Sequence, residues 1–329
     1  MKRFLLAAIA CTALLFASAG QAFAFPAYAQ AAYDNPREAT GKIVCANCHL
    51  NSMPTKLEVP QSVIPGQVFD AVVQIPYDTS VQQVLGDGSR GGLNVGAVVV
   101  LPEGFRLATE DEMTEKQREE TAETYIQPYS EDNPNMFVVG PIAGEDNQEI
   151  IFPVKAPDPK EDSRVAFMKY LVFVGGNRGR GQLNPDGTLS NNNAFTASAD
   201  GTIVDVLNLE DPSELSPDSP VASLVDLSQY YAPVSIVSIE QPDGSLAADV
   251  IPAGPTVSVS TGDVVIKGQA LTDNPNVGGF GQTERELVLQ SPSRIVGLIG
   301  FLAIVSFAQI MLVVKKKQIE KIQVAEGFM

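Results

Sequence analysis

Twenty consecutive residues near the C-terminus, Ile295 to Val314 (IVGLIGFLAIVSFAQIMLVV), carry no charge. A run of that length and composition leaves one conformation open. In hydrocarbon every backbone N–H and C=O must find a partner within the segment, so the run predicts one helix. At 1.5 Å per residue it is about 30 Å long, enough to cross a bilayer. Arg294 precedes it, and Lys315, Lys316 and Lys317 follow directly. The positive-inside bias then places the tail, residues 315–329, in the cytoplasm or stroma, and everything before Arg294 on the far side.

The N-terminus agrees. Lys2 and Arg3 form a basic start, Phe4 to Ala17 an apolar stretch, and Ala22-Phe23-Ala24 an A-x-A cleavage site. This is the pattern of a secretory signal peptide over residues 1–24, and its removal leaves Phe25 as the first mature residue. A lipoprotein reading at Cys11 would need a much shorter apolar stretch. The expected protein is therefore single-pass, with a translocated body from Phe25 to Arg294. Its 22 basic and 39 acidic residues give −17. Removing the +2 carried by each end leaves about −21 on the body. Such a body has no general basic face for nucleic acid, and it favours cationic or neutral partners.

Strand signals dominate the body. Short runs rich in Val and Ile (Leu93 to Leu101, Met136 to Val139, Ile150 to Val154, Val165 to Val174, Val234 to Ile239, Val257 to Val259, Val264 to Ile266) are cut by Gly, Pro, Asn and Asp. The pattern predicts an all-β fold, sandwich-like. Thr109 to Glu123 is charged and helix-compatible, and reads as a solvated excursion between strands. Leu209 to Pro220, acidic with three prolines, reads as a mobile surface loop or insertion.

One short stretch carries the chemistry. VCANCHL, Val44 to Leu50, holds the chain's single histidine and two of its three cysteines. Cys-x-x-Cys-His is the attachment motif of c-type haem. Two residues between the thiols let one turn of backbone reach both vinyl groups of the porphyrin. The adjacent His49 then falls beneath the iron as an axial ligand. Zinc would want four ligands, a thioredoxin-like pair a βαβ context, and a plain disulfide would leave His49 unexplained. For the sixth iron position Met53, Met113, Met136 and Met168 compete with the α-amino group that cleavage creates on Phe25. Such an amine, with a pKa near about 8, loses its proton readily enough to bind metal. Pro26 stiffens the chain behind it. No Ser/His/Asp or Cys/His triad is available, so an enzyme is not expected. A membrane-anchored haem sensor with an open sixth position is the rival function.

Several blocks, in order, resemble one family. FPAYAQAAYDNPREATGKIVCANCHL (Phe25 to Leu50), NVGAVVVLPEGF (Asn94 to Phe105), GGNRGRGQLNPDG (Gly175 to Gly187), NPNVGGFGQ (Asn274 to Gln282) and the KKKQIEKIQ that ends the anchor are similar to cytochrome f, the c-type cytochrome of the photosynthetic cytochrome b6f complex. The resemblance implies one covalent haem c on Cys45 and Cys48, with His49 and the α-amino group of Phe25 as axial ligands. Phe25 stands where the family commonly has tyrosine. It also implies a haem pocket that includes Pro26, and a buried water chain lined by Asn177, Gln182, Asn192 and Asn276. Without the resemblance these four would be read as turn residues. GGNRGRG lacks the strand–helix context of a phosphate loop.

The implied fold is an elongated large β-sandwich haem domain (25–192, returning at 276–294) with a small inserted β domain (193–275), then the helix at 295–314. An acidic insertion at about 205–233 lengthens the small domain. The implied partners are cytochrome b6, the Rieske iron–sulfur protein and other b6f subunits. The Rieske protein would donate the electron, and plastocyanin or a soluble c-type cytochrome would accept it. The membrane is the thylakoid or plasma membrane, with the body in the lumen or periplasm. Plant members attract acidic plastocyanin with lysines, and Gln82, Ser89 and Arg90 occupy matching positions here. Electrostatic steering is accordingly expected to be weak or reversed.

Overall fold

The structure is a computed structural model and describes residues 26–327. The signal peptide and Phe25 lie outside the described residues. The body is built of β-strands in several sheets, as the patterning predicts, and a single long apolar helix closes the chain.

Two sheets form the main sandwich. One has the order β1 (Lys56–Glu58), β3 (Val68–Gln74), β10 (Glu149–Lys155), β7 (Arg106–Leu107). The other runs β2 (Ser62–Val63), β16 (Gly279–Leu289), β11 (Lys169–Arg178), β6 (Asn94–Val100), β9 (Met136–Ala143), β8 (Gln127–Pro128). In β3 (VFDAVVQ) every second residue points inward, placing Phe69, Ala71 and Val73 in the core. Ile150, Phe152 and Val154 of β10 face Val95, Ala97 and Val99 of β6 across the layer. Each large side chain buried here contributes roughly 1.5–3 kcal/mol.

β6 does not alternate, because Val95 to Val100 are buried throughout. A continuous apolar run needs cover on both faces. The second cover is a separate cluster of Ile43, Val98, Val100, Tyr129, Val138 and Phe280, against which Cys45 and Ala46 pack. The cysteine motif therefore lies on the outer face of the six-stranded sheet.

β11 runs on to Arg178, four residues past the apolar run that the sequence suggests. Gly175 and Gly176 are strand residues rather than a turn. A Cβ on Gly175 would lie 2.4 Å from the Phe280 ring on the outer face, and one on Gly176 would lie 2.9 Å from Ile75 on the inner face.

Helix α1 (Pro26–Ala32) begins with proline, whose missing N–H costs nothing in the first turn. It docks through Gln30, whose Nε2 donates to the Tyr129 carbonyl at 2.6 Å. The Tyr129 hydroxyl shares its hydrogen between the carbonyls of Ala29 (2.9 Å) and Tyr33 (2.8 Å).

The charged segment 109–123 is held down rather than loosely solvated. It contains α2 (Glu115–Thr121), started by a capping box between Thr114 and Gln117. Gln117 is buried and donates to Asp70 of β3 at 2.6 Å. Glu112 grips Arg106 at 2.7 and 2.8 Å and Lys155 at 3.0 Å.

A third sheet, in the order β14 (Leu246–Pro252), β13 (Val234–Glu240), β12 (Gly201–Leu209), β15 (Val264–Val265), encloses its own small core of Ile203, Val237, Ile239, Ile251 and Leu271. The acidic segment joins β12 to β13, with one 3-10 turn at Pro212–Glu214 and Val221 buried. The hairpin β4 (Gln83–Val84) and β5 (Arg90–Gly91) meets this sheet. Asn191 Nδ2 donates to the carbonyls of Leu85 and Ala253, both at 2.8 Å.

Helix α3 (Pro292–Ala325) has 34 residues, none buried, and outruns the apolar stretch at both ends. Ser291 caps it, accepting from the Arg294 N–H at 3.4 Å.

Candidate functional site

The cysteine motif is a tight turn. Val44–Asn47 form one 3-10 turn, and the Cys45 carbonyl accepts from the N–H groups of Cys48 (3.2 Å) and His49 (3.0 Å). Both thiols are free. Among the described residues there is no group of three or more His, Cys, Asp or Glu that could hold a metal ion.

Two glutamines from distant parts of the chain hold the turn. Gln282 of β16 accepts from the Ile43 N–H at 2.9 Å and donates to the Gly41 carbonyl at 2.9 Å. On the other side Gln182 accepts from the Leu50 N–H at 2.8 Å. The Cys48 carbonyl accepts from the N–H groups of Gln182 (2.8 Å) and Leu183 (3.2 Å). Gly181 lies against that carbonyl, which a Cβ there would meet at 3.1 Å.

Burial controls the protonation of the site. It pushes the Cys45 thiol up to about 12, helped by the neighbouring Cys48 and opposed by a backbone hydrogen bond. Cys48 is raised by the same cause. His49 is lowered to about 4, again by burial, so its ring is neutral at physiological pH. Its Nδ1 is buried without a hydrogen-bond partner. Burial also raises the Tyr129 phenol, with Cys45, Asp34 and Tyr33 adding to it.

Of the four expected water-chain residues, three come together. Asn192 Nδ2 donates to the Arg180 carbonyl at 2.8 Å and to Asn276 Oδ1 at 3.0 Å. Gln182 Nε2 reaches the same Arg180 carbonyl at 3.5 Å, and the Gln182 carbonyl accepts from Asn193 at 2.6 Å. Asn177 stands on β11 opposite Gly96 of β6, where a Cβ would meet its Oδ1 at 2.7 Å. Pro26 opens α1. Of the methionines, Met136 packs against the same cluster as Cys45, Met53 is wedged against Gly279, and Met168 is exposed. Gln82, Ser89 and Arg90 are exposed on or beside the β4–β5 hairpin.

Sequence reasoning missed a buried polar group next to this seam. Arg178 is completely buried. Its Nη2 donates to the Pro54 carbonyl (2.7 Å) and Thr55 Oγ1 (3.1 Å), while Nε and Nη1 have no partner. Burial pulls it down to about 10. Gln83 Oε1 and Asn192 Oδ1 are likewise buried and unpaired. The local sequence signal was an arginine in a Gly-rich stretch four residues past a strand run, which looks like a surface turn.

Comparison with known proteins decides the family. The family model described as apocytochrome F, N-terminal, matches residues 25–179, and apocytochrome F, C-terminal, matches 191–328. The chain belongs to the cytochrome f family. It is 61% identical over 327 residues to cytochrome f of Synechococcus sp. (strain JA-3-3Ab), covering 99% of each chain. It is 51% identical over 329 residues to cytochrome f of Thermosynechococcus vestitus, again covering 99% of each. Cytochrome f of Trichodesmium erythraeum is 50% identical over 327 residues, covering 99% of this chain and 94% of the relative. Membership of the cytochrome f family makes this chain a c-type cytochrome of the b6f complex. Together with the apolar helix α3 it makes a single-pass membrane protein.

The residues present fit a c-type haem. Two free thiols lie one turn apart, and the neighbouring imidazole is neutral with an unclaimed, buried ring nitrogen.

Proposed function

We propose that this chain carries single electrons from the Rieske iron–sulfur protein to plastocyanin or a soluble c-type cytochrome, using one haem c. When bound, the haem supplies an iron that alternates between two oxidation states. Cys45 and Cys48 would attach it through thioethers. His49, kept neutral by burial, would offer a nitrogen lone pair, and the α-amino group of Phe25 would offer the other. We take residues 25–192 and 276–294 as the haem-binding body and 193–275 as the inserted domain.

The observation that carries this reading is the Cys45–His49 turn, with free thiols and a neutral histidine clamped by Gln182 and Gln282. The clamps fix the backbone on both sides of the turn, so the ring and the two sulfurs keep their relative positions. Ile43, Phe280 and Val98 keep water from the sheet side. Gln182, Asn192 and Asn276 line a polar seam that we assign to ordered water. The body faces the lumen or periplasm in this scheme, and residues 315–329 the stroma or cytoplasm.

The test uses intact mass and spectra of the mature protein. The expected mass is that of Phe25 onward plus one covalent haem. A variant with one residue added before Phe25 should change its visible and EPR spectra. An unchanged spectrum would overturn the amine as ligand, and a mass without haem would overturn the whole reading. Acceptor steering is tested separately, by association rate against ionic strength. An acidic acceptor whose rate falls steeply with added salt would contradict the −21 body.

A further inference from the structure

Strand β16 ends at Leu289 and helix α3 begins at Pro292, so only Gln290 and Ser291 join the body to the membrane helix. Both are fixed. The Gln290 N–H donates to the Val63 carbonyl at 2.8 Å. Ser291 is buried and accepts from the Arg294 N–H at 3.4 Å. The Arg294 guanidinium lies 5.9 Å from the centre of the Phe167 ring. The uncharged run starts at Ile295, four residues past the cap. At 1.5 Å per residue, this end of the body stands at most about 6 Å from the hydrocarbon. The headgroup layer is about as thick, because a bilayer of about 40–45 Å has a core of about 30 Å. A helix of another subunit, about 10 Å across, does not fit in that gap.

The surface at this end is apolar and neutral. β2 and β11 lie on either side of β16. Val63 of β2 pairs with Leu289, and the Leu289 N–H donates to the Met168 carbonyl at 3.0 Å. Ile64, just past β2, is 48% exposed, and Met168, just before β11, is 52% exposed. The turn that presents Met168 is preformed: the Tyr170 hydroxyl accepts from the Ala166 N–H at 3.0 Å and donates to its carbonyl at 2.8 Å. The three segments that meet here, 60–67, 165–168 and 287–293, hold no charged residue in a body of about −21. The flanking charges are taken up in ion pairs, Arg164 with Asp162 (2.9 Å) and Glu103 (2.8 Å), and Lys169 with Glu286 (2.8 Å).

We propose that this end of the body rests in the headgroup layer of the bilayer that α3 crosses, with Ile64 and Met168 inserted among the lipids as footholds on either side of the helix. The proposal rests on α3 crossing a membrane and not on how the haem is held. Exposed apolar side chains are stable at that depth, where a peripheral segment buries its apolar face in the boundary between headgroups and acyl chains. An acidic body would be repelled by anionic headgroups, so the contact has to be made by a neutral end. Arg294, beside the Phe167 ring, places a cation on an aromatic support at the same level. Two footholds and a helix without a linker give three points of attachment. The body is thereby held at a fixed tilt to the membrane, and does not swing on α3.

The chain contains no tryptophan, so Ile64→Trp and Met168→Trp each introduce a sole fluorescent reporter. The full-length protein is placed in nanodiscs, with and without lipid brominated near the top of its acyl chains. Each reporter should lose about half its emission in the brominated lipid, at the depth expected of an interfacial side chain. The loss should persist in high salt, because no exposed ion pair makes the contact. Val264→Trp, at a residue 74% exposed in the third sheet, should be unaffected. Far-UV circular dichroism checks that each variant has folded. The unaltered protein supplies a second reading: a lipid with a photoreactive headgroup should label segments 60–67 and 164–168 as well as α3, both in the chain alone and in the assembled complex. Unquenched reporters at 64 and 168, quenching that salt abolishes, labelling confined to α3, or labelling lost on assembly because another subunit covers these segments would each overturn the proposal.

Discussion

Gly175 sits where the main sheet meets the cysteine motif, and replacing it with alanine tests whether that contact is as tight as the structure shows. The added Cβ would lie 2.4 Å from Phe280 Cζ, 2.8 Å from Cε2 and 3.1 Å from Ile43 Cδ1. The first two separations are too short to keep, so the ring must move. It has little room, since Phe280 is only 6% exposed and Ile43 only 1%. Ile43 is also tied by its N–H to Gln282. Overpacking of this kind costs about 1–3 kcal/mol. For a body of this size that lowers Tm by roughly 2–4 °C per kcal/mol. The assay is thermal unfolding of the detergent-solubilised holoprotein, followed by far-UV and haem-band circular dichroism. Gly187→Ala is the control, because nothing lies within 4 Å of its Cβ position and any loss there reports only the strain of its φ of +86°. Phe280→Leu should rescue: it removes the ring that the new methyl strikes. The double variant should be more stable than the two single losses add up to. Strict additivity, or a Gly175→Ala variant that melts with the wild type, would refute the argument.

Three further perturbations probe other parts of the fold. Glu112 is held well below the usual carboxylate range, first by Arg106 and then by the Thr109 N–H and Lys155. Its folded pKa is depressed, so its stabilisation is present above the unfolded value of about 4.3 and fades as pH falls below it. Glu112→Gln should therefore lose about 1 kcal/mol at neutral pH, with wild type and variant converging in acid. A gap that is constant across urea melts at several pH values would contradict this. Gln182→Leu removes the acceptor of the Leu50 N–H and should cost about 1–3 kcal/mol in urea unfolding. Gln182→Glu keeps an acceptor and should keep most of that. Thr114→Ala removes the cap of α2 and should cost about 1 kcal/mol, with faster hydrogen exchange confined to residues 115–121.

What the sequence made legible followed physical range. The Cys45–His49 motif is local chemistry and could be read directly. The Leu93–Leu101 run announced a strand, though its burial on both faces appeared only in the structure. Gly175-Gly176-Asn177 looked like turn chemistry because local composition cannot show that both faces of β11 are filled by Phe280 and Ile75. The clamps on the motif were equally hidden. Gln182 reaches Leu50 across 132 positions, and Gln282 reaches Ile43 across 239. Between these extremes lies the segment 109–123. Its capping box, Thr114 to Gln117, was readable as a helix start, but the buried bond from Gln117 to Asp70 that pins it was not. Arg178 ran against the ordinary rule that unpaired arginines stay at the surface.

The position of the motif on the six-stranded sheet explains why so few side chains suffice to hold it. The inner face of that sheet closes the main core, so β6, β11 and β16 are fixed before anything is laid on their outer face. Ile43 and Phe280 transmit that fixity to Cys45, and the glutamine clamps transmit it to Cys48 and Leu50. Helix α1 is held by the same logic. A seven-residue helix is too short to be stable alone, and α1 stands because Tyr129, itself in the outer cluster, binds the carbonyls of Ala29 and Tyr33. Two segments far from the core in sequence, the motif and the N-terminal helix, thus rest on one sheet face. The motif and helix α1 take their placement from that face rather than from loops.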